Sequence, residues 1–120
     1  ITETNITGDT PLHQACYNEQ SEVVRELLKN ENVPINSIND ERNTPLVIAC
    51  IRGNTLIANI LLEAKADPNI ALLNGNTALH FASIWNNKYI AENLLKYNAN
   101  INAQNEEGQT ALIIAAQKRL

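Results

Sequence analysis

The sequence is poor in several residue types that would point to particular classes of protein. It has no methionine, two cysteines, one tryptophan, one phenylalanine and three tyrosines in 120 residues. Because 44% of the residues are nevertheless hydrophobic, the core must be built from aliphatic side chains and alanine. No apolar run approaches the roughly 18 residues of a membrane-spanning helix, and no signal-peptide pattern opens the chain. We therefore expect an intracellular domain in the cytoplasm or nucleus, with no contact to a membrane.

An excess of basic residues is also missing. The chain has 13 acidic and 9 basic residues, giving a formal charge of −4, and neither sign forms a block. Proteins that bind nucleic acid normally carry a basic surface. The charge balance therefore argues against a nucleic-acid partner and favours a protein or peptide.

A repeated motif is the strongest feature that is present. The stretch Thr-Ala-Leu-His-Phe-Ala-Ser begins at Thr77, and related stretches begin at Thr10, Thr44 and Thr110. The four threonines lie 34, 33 and 33 residues apart. A fixed period in this range is typical of solenoids, in which one supersecondary unit stacks on copies of itself.

Each copy of the motif reads as a tight turn followed by a capped helix. Threonine is a good N-cap, and Pro11 or Pro45 directly after it occupies a position where a missing N–H costs nothing. Two residues before three of the threonines stands a glycine, which can supply the positive φ of a turn. In the second copy this position is Arg42, for which a positive φ costs on the order of 1 kcal/mol.

The spacing and the Thr-Pro-Leu-His-x-Ala pattern resemble the ankyrin repeat. The resemblance implies an all-α solenoid of helix-turn-helix units joined by β-hairpin-like loops, in a single domain over 1–120. The copies cover about 5–38, 39–71, 72–104 and the partial stretch 105–120. Since the chain lacks methionine and stops within the fourth copy, we expect it to be a piece of a longer protein.

The apolar spacing places two helices in each full copy. Ser21 is predicted to cap the second helix of copy one, in which Val23, Val24, Leu27 and Leu28 recur on one face. Gly53 is predicted to end the first helix of copy two. Glu31, Lys65 and Asn98 stand where the family usually has a glycine. In copy four, Ile113, Ile114 and Leu120 are predicted to lack full cover. The predicted first helices are 11–17, 45–51 and 78–85, and the predicted second helices are 22–29, 56–64 and 89–97.

Histidine and cysteine are the only residues that suggest chemistry. His13 and His80 could be metal ligands or general bases, or histidines hydrogen-bonded to neighbouring turns. Two repeats separate them by about 16–20 Å, so they cannot share a metal. Cys16 lies three residues after His13, but copy two keeps Cys50 without the histidine. We therefore predict no enzyme activity, no cofactor and no metal site.

The two cysteines are predicted to be reduced. Cys16 and Cys50 occupy equivalent positions in adjacent copies. Stacked helices lie about 8–10 Å apart, whereas a disulfide requires Cα atoms about 4.4–6.8 Å apart. Reduced, buried cysteines are typical of an intracellular compartment.

The resemblance implies a partner-binding groove formed by the hairpin tips and the exposed ends of the first helices. The only tryptophan, Trp85, would contact the partner there or, alternatively, fold back onto its own helix and cover the core. Tyr17, Ile51 and either Ile84 or Trp85 would form an apolar row beside acidic tips, which favours a partner with basic and apolar residues. Copy one would add the tip positions Ile6, Thr7 and Asp9, and Gln117 is a further helix-end position. The predicted partner-binding residues are Tyr17, Asn18, Asp40, Glu41, Asn43, Ile51, Arg52, Leu73, Asn74, Asn76, Ile84, Trp85, Glu106, Glu107, Gln109 and Lys118.

Three interpretations of function remain at this point. The first is a monomeric, non-catalytic protein–protein interaction module. The second is a targeting or autoinhibitory segment of a larger multidomain enzyme, or a microbial effector secreted into a host cell. The third, a structural spacer, predicts a polar and featureless groove, which Trp85, Tyr17 and Ile51 argue against.

Overall fold

The computed structural model describes residues 8–118, and within them the chain is helical without any β-strand. The longest helices have nine residues, so none of the helices within 8–118 could cross a lipid bilayer. The α-helices within this range are Pro11–Tyr17 (α1), Ser21–Leu28 (α2), Pro45–Arg52 (α3), Thr55–Glu63 (α4), Ala78–Ile84 (α5), Lys88–Lys96 (α6) and Ala111–Gln117 (α7).

The helices stack in two parallel rows. The first helices of the copies, α1, α3, α5 and α7, pack against one another in order, and the second helices, α2, α4 and α6, form the other row. The first helices α1, α3 and α5 also pack against the second helix of their own copy, α2, α4 and α6 respectively. The core lies between the rows and is filled by aliphatic residues and alanines, among them Leu12, Leu46, Ile57 and Leu61, all at most 1% exposed. This is the predicted all-α solenoid.

The motif threonines begin the first helices as predicted. Thr10, Thr44 and Thr110 have extended backbones, and their side chains accept hydrogen bonds from the backbone N–H three residues later. The hydroxyl thereby satisfies one of the free donors at the start of the helix. Gly53 ends α3 in the left-handed conformation, as its position predicts.

The hairpin loops are closed turns, although they contain no strand within the described residues. In copies two and four the loop is closed by hydrogen bonds from Asn39 N to Asn43 O and from Asn105 N to Gln109 O. Arg42 has φ 66°, so the predicted left-handed residue is present. Copy three is closed by the equivalent bond from Leu72 N to Asn76 O. It differs in that Leu72 replaces the asparagine and a single 3₁₀ turn covers Leu73–Gly75.

The asparagines that lead into the hairpins link neighbouring copies. The Asn36 side-chain oxygen accepts a hydrogen bond from Asp67 N at 2.9 Å, and Asn69 accepts one from Asn100 N at 2.7 Å. These bonds repeat the same contact one copy further along the solenoid. They satisfy loop amides that have no partner within a helix.

Several details differ from the sequence predictions. Ser21 is the first residue of α2, and the cap position is Gln20, which makes no side-chain capping bond. Val23 is 43% exposed, whereas Val24 is fully buried, because no helix covers the outer side of copy one within residues 8–118. Glu31 does not adopt a positive φ, although Lys65 and Asn98 do. The extra residue in the copy-one loop lets the backbone turn without a positive φ at Glu31.

The last helix is open on one side. Ile113 is 42% exposed, as predicted, but Ile114 is 6% exposed because it packs toward α5, so its predicted lack of cover is wrong. Leu120 lies outside the described residues. Leu112 is 71% exposed, whereas the equivalent Leu12 and Leu46 are each 1% exposed.

Candidate functional site

One face of the first-helix row is left free by the second helices. We call it the first-helix face and define it as the hairpin tips (40–43, 73–76 and 106–109) together with the C-terminal ends of α1, α3, α5 and α7. The tips lie against the first helix of the preceding copy. The imidazole Nε2 of His13 bonds Ser37 O at 2.9 Å and Asn43 O at 3.0 Å, and that of His80 bonds Gln109 O at 2.8 Å.

Both ring nitrogens of each histidine form hydrogen bonds that hold the hairpin tip against the first helix. The Nδ1 atoms accept hydrogen bonds from the backbone N–H of Thr10 at 3.0 Å and of Thr77 at 2.9 Å. With Nδ1 as acceptor, Nε2 carries the proton and donates it to the hairpin carbonyl of the next copy. The buried histidines therefore link neighbouring copies by hydrogen bonds. This agrees with the interpretation that they are bonded to neighbouring turns.

Neither cysteine is available as a nucleophile. Cys16 and Cys50 are free thiols with no exposed surface. Burial raises the pKa of each thiol from 9.0 to about 12. Because the thiolate is the reactive form, the fold suppresses their reactivity.

The predicted site residues of copies one and two contact one another. The Tyr17 hydroxyl donates a hydrogen bond to a Glu41 carboxylate oxygen at 2.6 Å. Burial and this hydrogen bond raise the pKa of the Tyr17 phenol. Arg52 forms an ion pair with Glu19 at 3.3 Å. In this half of the face, the side chains of Tyr17, Glu41 and Arg52 are thus already paired within the chain.

The predicted site residues of copies three and four are freer. Leu73 is 52% exposed and Trp85 is 54% exposed, so Trp85 does not fold back to cover the core. Glu106, Glu107 and Lys118 are exposed, and within residues 8–118 their side chains form no hydrogen bond or ion pair. This half therefore combines two exposed apolar side chains with uncompensated charges.

The remaining predicted residues line the same face in less prominent ways. Asn76 accepts a hydrogen bond from Asn105 at 2.9 Å, and Gln109 donates one to Gln117 at 3.1 Å. The other residues of the set are exposed or half-buried: Asn18, Asp40, Asn43, Ile51, Asn74 and Ile84. Ile6 and Thr7 lie outside the described residues, and Asp9 is buried, where it accepts a hydrogen bond from Asn39.

Sequence reasoning missed the role of Glu19. Its carboxylate binds Arg52 and accepts a hydrogen bond from Asn54 at 3.3 Å, and its backbone has φ 54°. Glu19 stands at the position that Gly53 occupies in copy two and Asn86 in copy three, both of which also have positive φ. Aligning the copies at this position would have revealed the shared turn, but not the ion pair.

Comparisons with known proteins agree with the repeat. The sequence model of a family described as ankyrin repeats (3 copies) matches residues 1–71 and 66–120. The human SMC5-SMC6 complex localization factor protein 1 is 39% identical over 61 residues, which cover 51% of this chain and 6% of that protein. The ankyrin repeat domain-containing protein SAT10 of Stachybotrys chartarum is 36% identical over 65 residues, covering 53% of this chain and 3% of that protein. The human transient receptor potential cation channel subfamily A member 1 is 33% identical over 64 residues, or 53% of this chain and 6% of the channel subunit. The chain thus spans only a small part of the length of these relatives.

Proposed function

Because this chain belongs to the ankyrin repeat family, we propose that it is a non-catalytic module that binds a partner protein through its first-helix face. Ankyrin repeats are generally protein-interaction modules. The proposal extends that general role to this chain and to the predicted residues of this face. We further propose that the module acts as a monomer inside the cell, without a cofactor.

The exposure of Trp85 is the observation that carries the proposal. Tryptophan is among the residues most enriched at binding hot spots. The only tryptophan of the chain is 54% exposed at the end of α5, beside the half-buried Ile84. An exposed indole of this size reduces solubility unless a partner covers it. The carboxylates at the tips of copies two and four would favour basic groups on that partner.

The proposal is tested by capturing proteins from a cell lysate with the chain and with Trp85→Ala. We expect Trp85→Ala to lose a protein that the unaltered chain captures. Tyr89→Ala is the matched control, because Tyr89 is 69% exposed but lies on α6 in the other row. If both variants retain the same proteins, or if both lose them, the first-helix face is not the binding surface.

A second candidate is a targeting or autoinhibitory segment of a larger enzyme or of a microbial effector. It is supported by the small share, 6% and 3%, that the chain covers of two relatives. Adding this chain in trans to the catalytic part of the parent protein tests the autoinhibitory form. Inhibition that Trp85→Ala abolishes would support it, and unchanged activity would contradict it.

A further inference from the structure

The junction between copies three and four repeats the junction between copies one and two almost bond for bond. In both, a motif histidine bonds a hairpin carbonyl of the next copy, His13 to Asn43 and His80 to Gln109. In both, a hairpin asparagine also donates its side-chain amide to the previous hairpin, as Asn105 does to Asn76.

The two hairpin tips share their conformation as well. In copy two, the Asn39 side-chain oxygen accepts hydrogen bonds from Glu41 N at 3.1 Å and Asn43 N at 2.9 Å. In copy four, Asn105 accepts the corresponding bonds from Glu107 N at 3.0 Å and Gln109 N at 2.9 Å. Glu107 therefore stands relative to α5 as Glu41 stands relative to α1.

The residue that faces this glutamate is what differs between the two junctions. In the first junction Tyr17 reaches across and donates its hydroxyl to Glu41 at 2.6 Å. The position equivalent to Tyr17 in copy three is Ile84, which has no donor. Within residues 8–118 the Glu107 side chain forms no hydrogen bond or ion pair. The fold thus builds the same acceptor twice and leaves the second one open.

The surroundings of the open carboxylate suit a long cationic side chain. Ile84 offers an apolar surface on which the methylene groups of lysine or arginine can pack while the charged group remains in water. Trp85, the next residue, is 54% exposed, and the face of an indole ring attracts cations. Glu106 places a second carboxylate at the same tip.

We propose that Glu107, Ile84 and Trp85 form a pocket for a lysine or arginine side chain, which a linear segment of the partner protein inserts. The inference rests on the proposed function, since it names the chemistry that the first-helix face recognises. It assigns recognition to the junction of copies three and four. The corresponding position between copies one and two is closed by Tyr17.

The test starts from random peptides of about 12 residues displayed on phage, long enough to cross the face at about 3.3 Å per residue. They are selected on the 120-residue chain, and the enriched sequences are synthesised with a fluorescent label for anisotropy titrations. We expect each to contain a lysine or arginine whose replacement by norleucine weakens binding about tenfold. Glu107→Gln should weaken binding of the original peptide by a similar factor. It should not weaken binding of the norleucine peptide any further, because that peptide has no cation for Glu107 to bind.

Two variants make the test specific. Glu92→Gln is the charge control, because Glu92 is an exposed carboxylate on α6, in the other row and outside the first-helix face; it should change binding by less than about twofold. Ile84→Tyr should weaken binding, since the new phenol can donate to Glu107 as Tyr17 does to Glu41. The presence of Tyr17 in α1 shows that the fold accepts tyrosine at this position, and circular dichroism checks that the variant is folded.

The outcomes separate the inference from the proposed function. If peptides bind and Trp85→Ala abolishes binding, but Glu107→Gln does not weaken it, the cation pocket is wrong and the first-helix face stands. If peptides bind and every one of these variants behaves like the unaltered chain, both are wrong. If selection enriches no peptide, or only peptides without lysine and arginine, the inference fails, and the proposed function is then decided by the capture experiment.

Discussion

At the scale of single residues, burial determines the chemistry of Cys16 and Cys50. Each lies on the buried side of a first helix, at equivalent positions of copies one and two. Because burial raises both pKa values to about 12, the folded chain holds almost no thiolate at neutral pH. The same shift makes the folded state bind more protons than the unfolded state between pH 9 and 12.

We therefore expect both thiols to resist alkylation by iodoacetamide at pH 8 in the folded chain and to react readily in urea. Mass spectrometry of the labelled chain measures this. Stability should be fully present below pH 9 and should fall as the pH rises toward 12, since deprotonation is easier in the unfolded state. Rapid labelling of either cysteine without denaturant would show that the helix around it opens locally.

At the scale of the elements, the hairpin loops show why a glycine is required in one copy more than in another. Gly75 and Gly108 occupy the same position and both have φ 75°. A Cβ added to Gly75 would lie 3.0 Å from Glu106 N and 3.3 Å from Asn105 Cα in the next hairpin. A Cβ on Gly108 would meet nothing within 4 Å among the described residues.

Gly75→Ala should therefore destabilise the chain more than Gly108→Ala. Both substitutions carry the cost of a left-handed alanine, roughly 1 kcal/mol. Only Gly75→Ala also pushes two hairpin backbones apart, which lowers the free energy of unfolding by about a further 1–3 kcal/mol. Urea unfolding followed by circular dichroism gives the two free energies. Equal losses would mean that the loops can separate without cost.

The sequence predicted these elements well where the signal is local. The threonine caps, the α3 stop at Gly53 and the left-handed Arg42 all follow from a residue and its immediate neighbours. Ser21 was misassigned because serine is also tolerated inside the first turn of a helix. The bond between Tyr17 and Glu41 could not be predicted, because it joins residues 24 positions apart through one rotamer of each side chain. The comparison that identifies Glu107 as an acceptor without a bond within residues 8–118 depends on knowing that bond.

At the scale of the whole molecule, the helices of each copy within residues 8–118 pack mainly against those of the neighbouring copies, so stability should vary along the chain. The interior first helices α3 and α5 have a first helix on both sides, whereas within residues 8–118 α7 packs mainly against α5. In a solenoid, local loss at the end need not unfold the rest. Repeat proteins therefore allow the same substitution to be compared at equivalent interior and terminal positions.

Ile48 and Ile114 provide that comparison, because they occupy the same position of α3 and α7 and are 0% and 6% exposed. Truncating a buried isoleucine to alanine costs about 2–5 kcal/mol. In Ile48→Ala this loss falls on the interior, where α3 packs against α1, α4 and α5, so hydrogen exchange should accelerate throughout the chain. In Ile114→Ala it falls on the last described helix, which packs mainly against α5, and faster exchange should be confined to α7. Exchange that accelerates everywhere in both variants would show that the four copies fold as one cooperative unit, because loss at the end would then propagate through every junction.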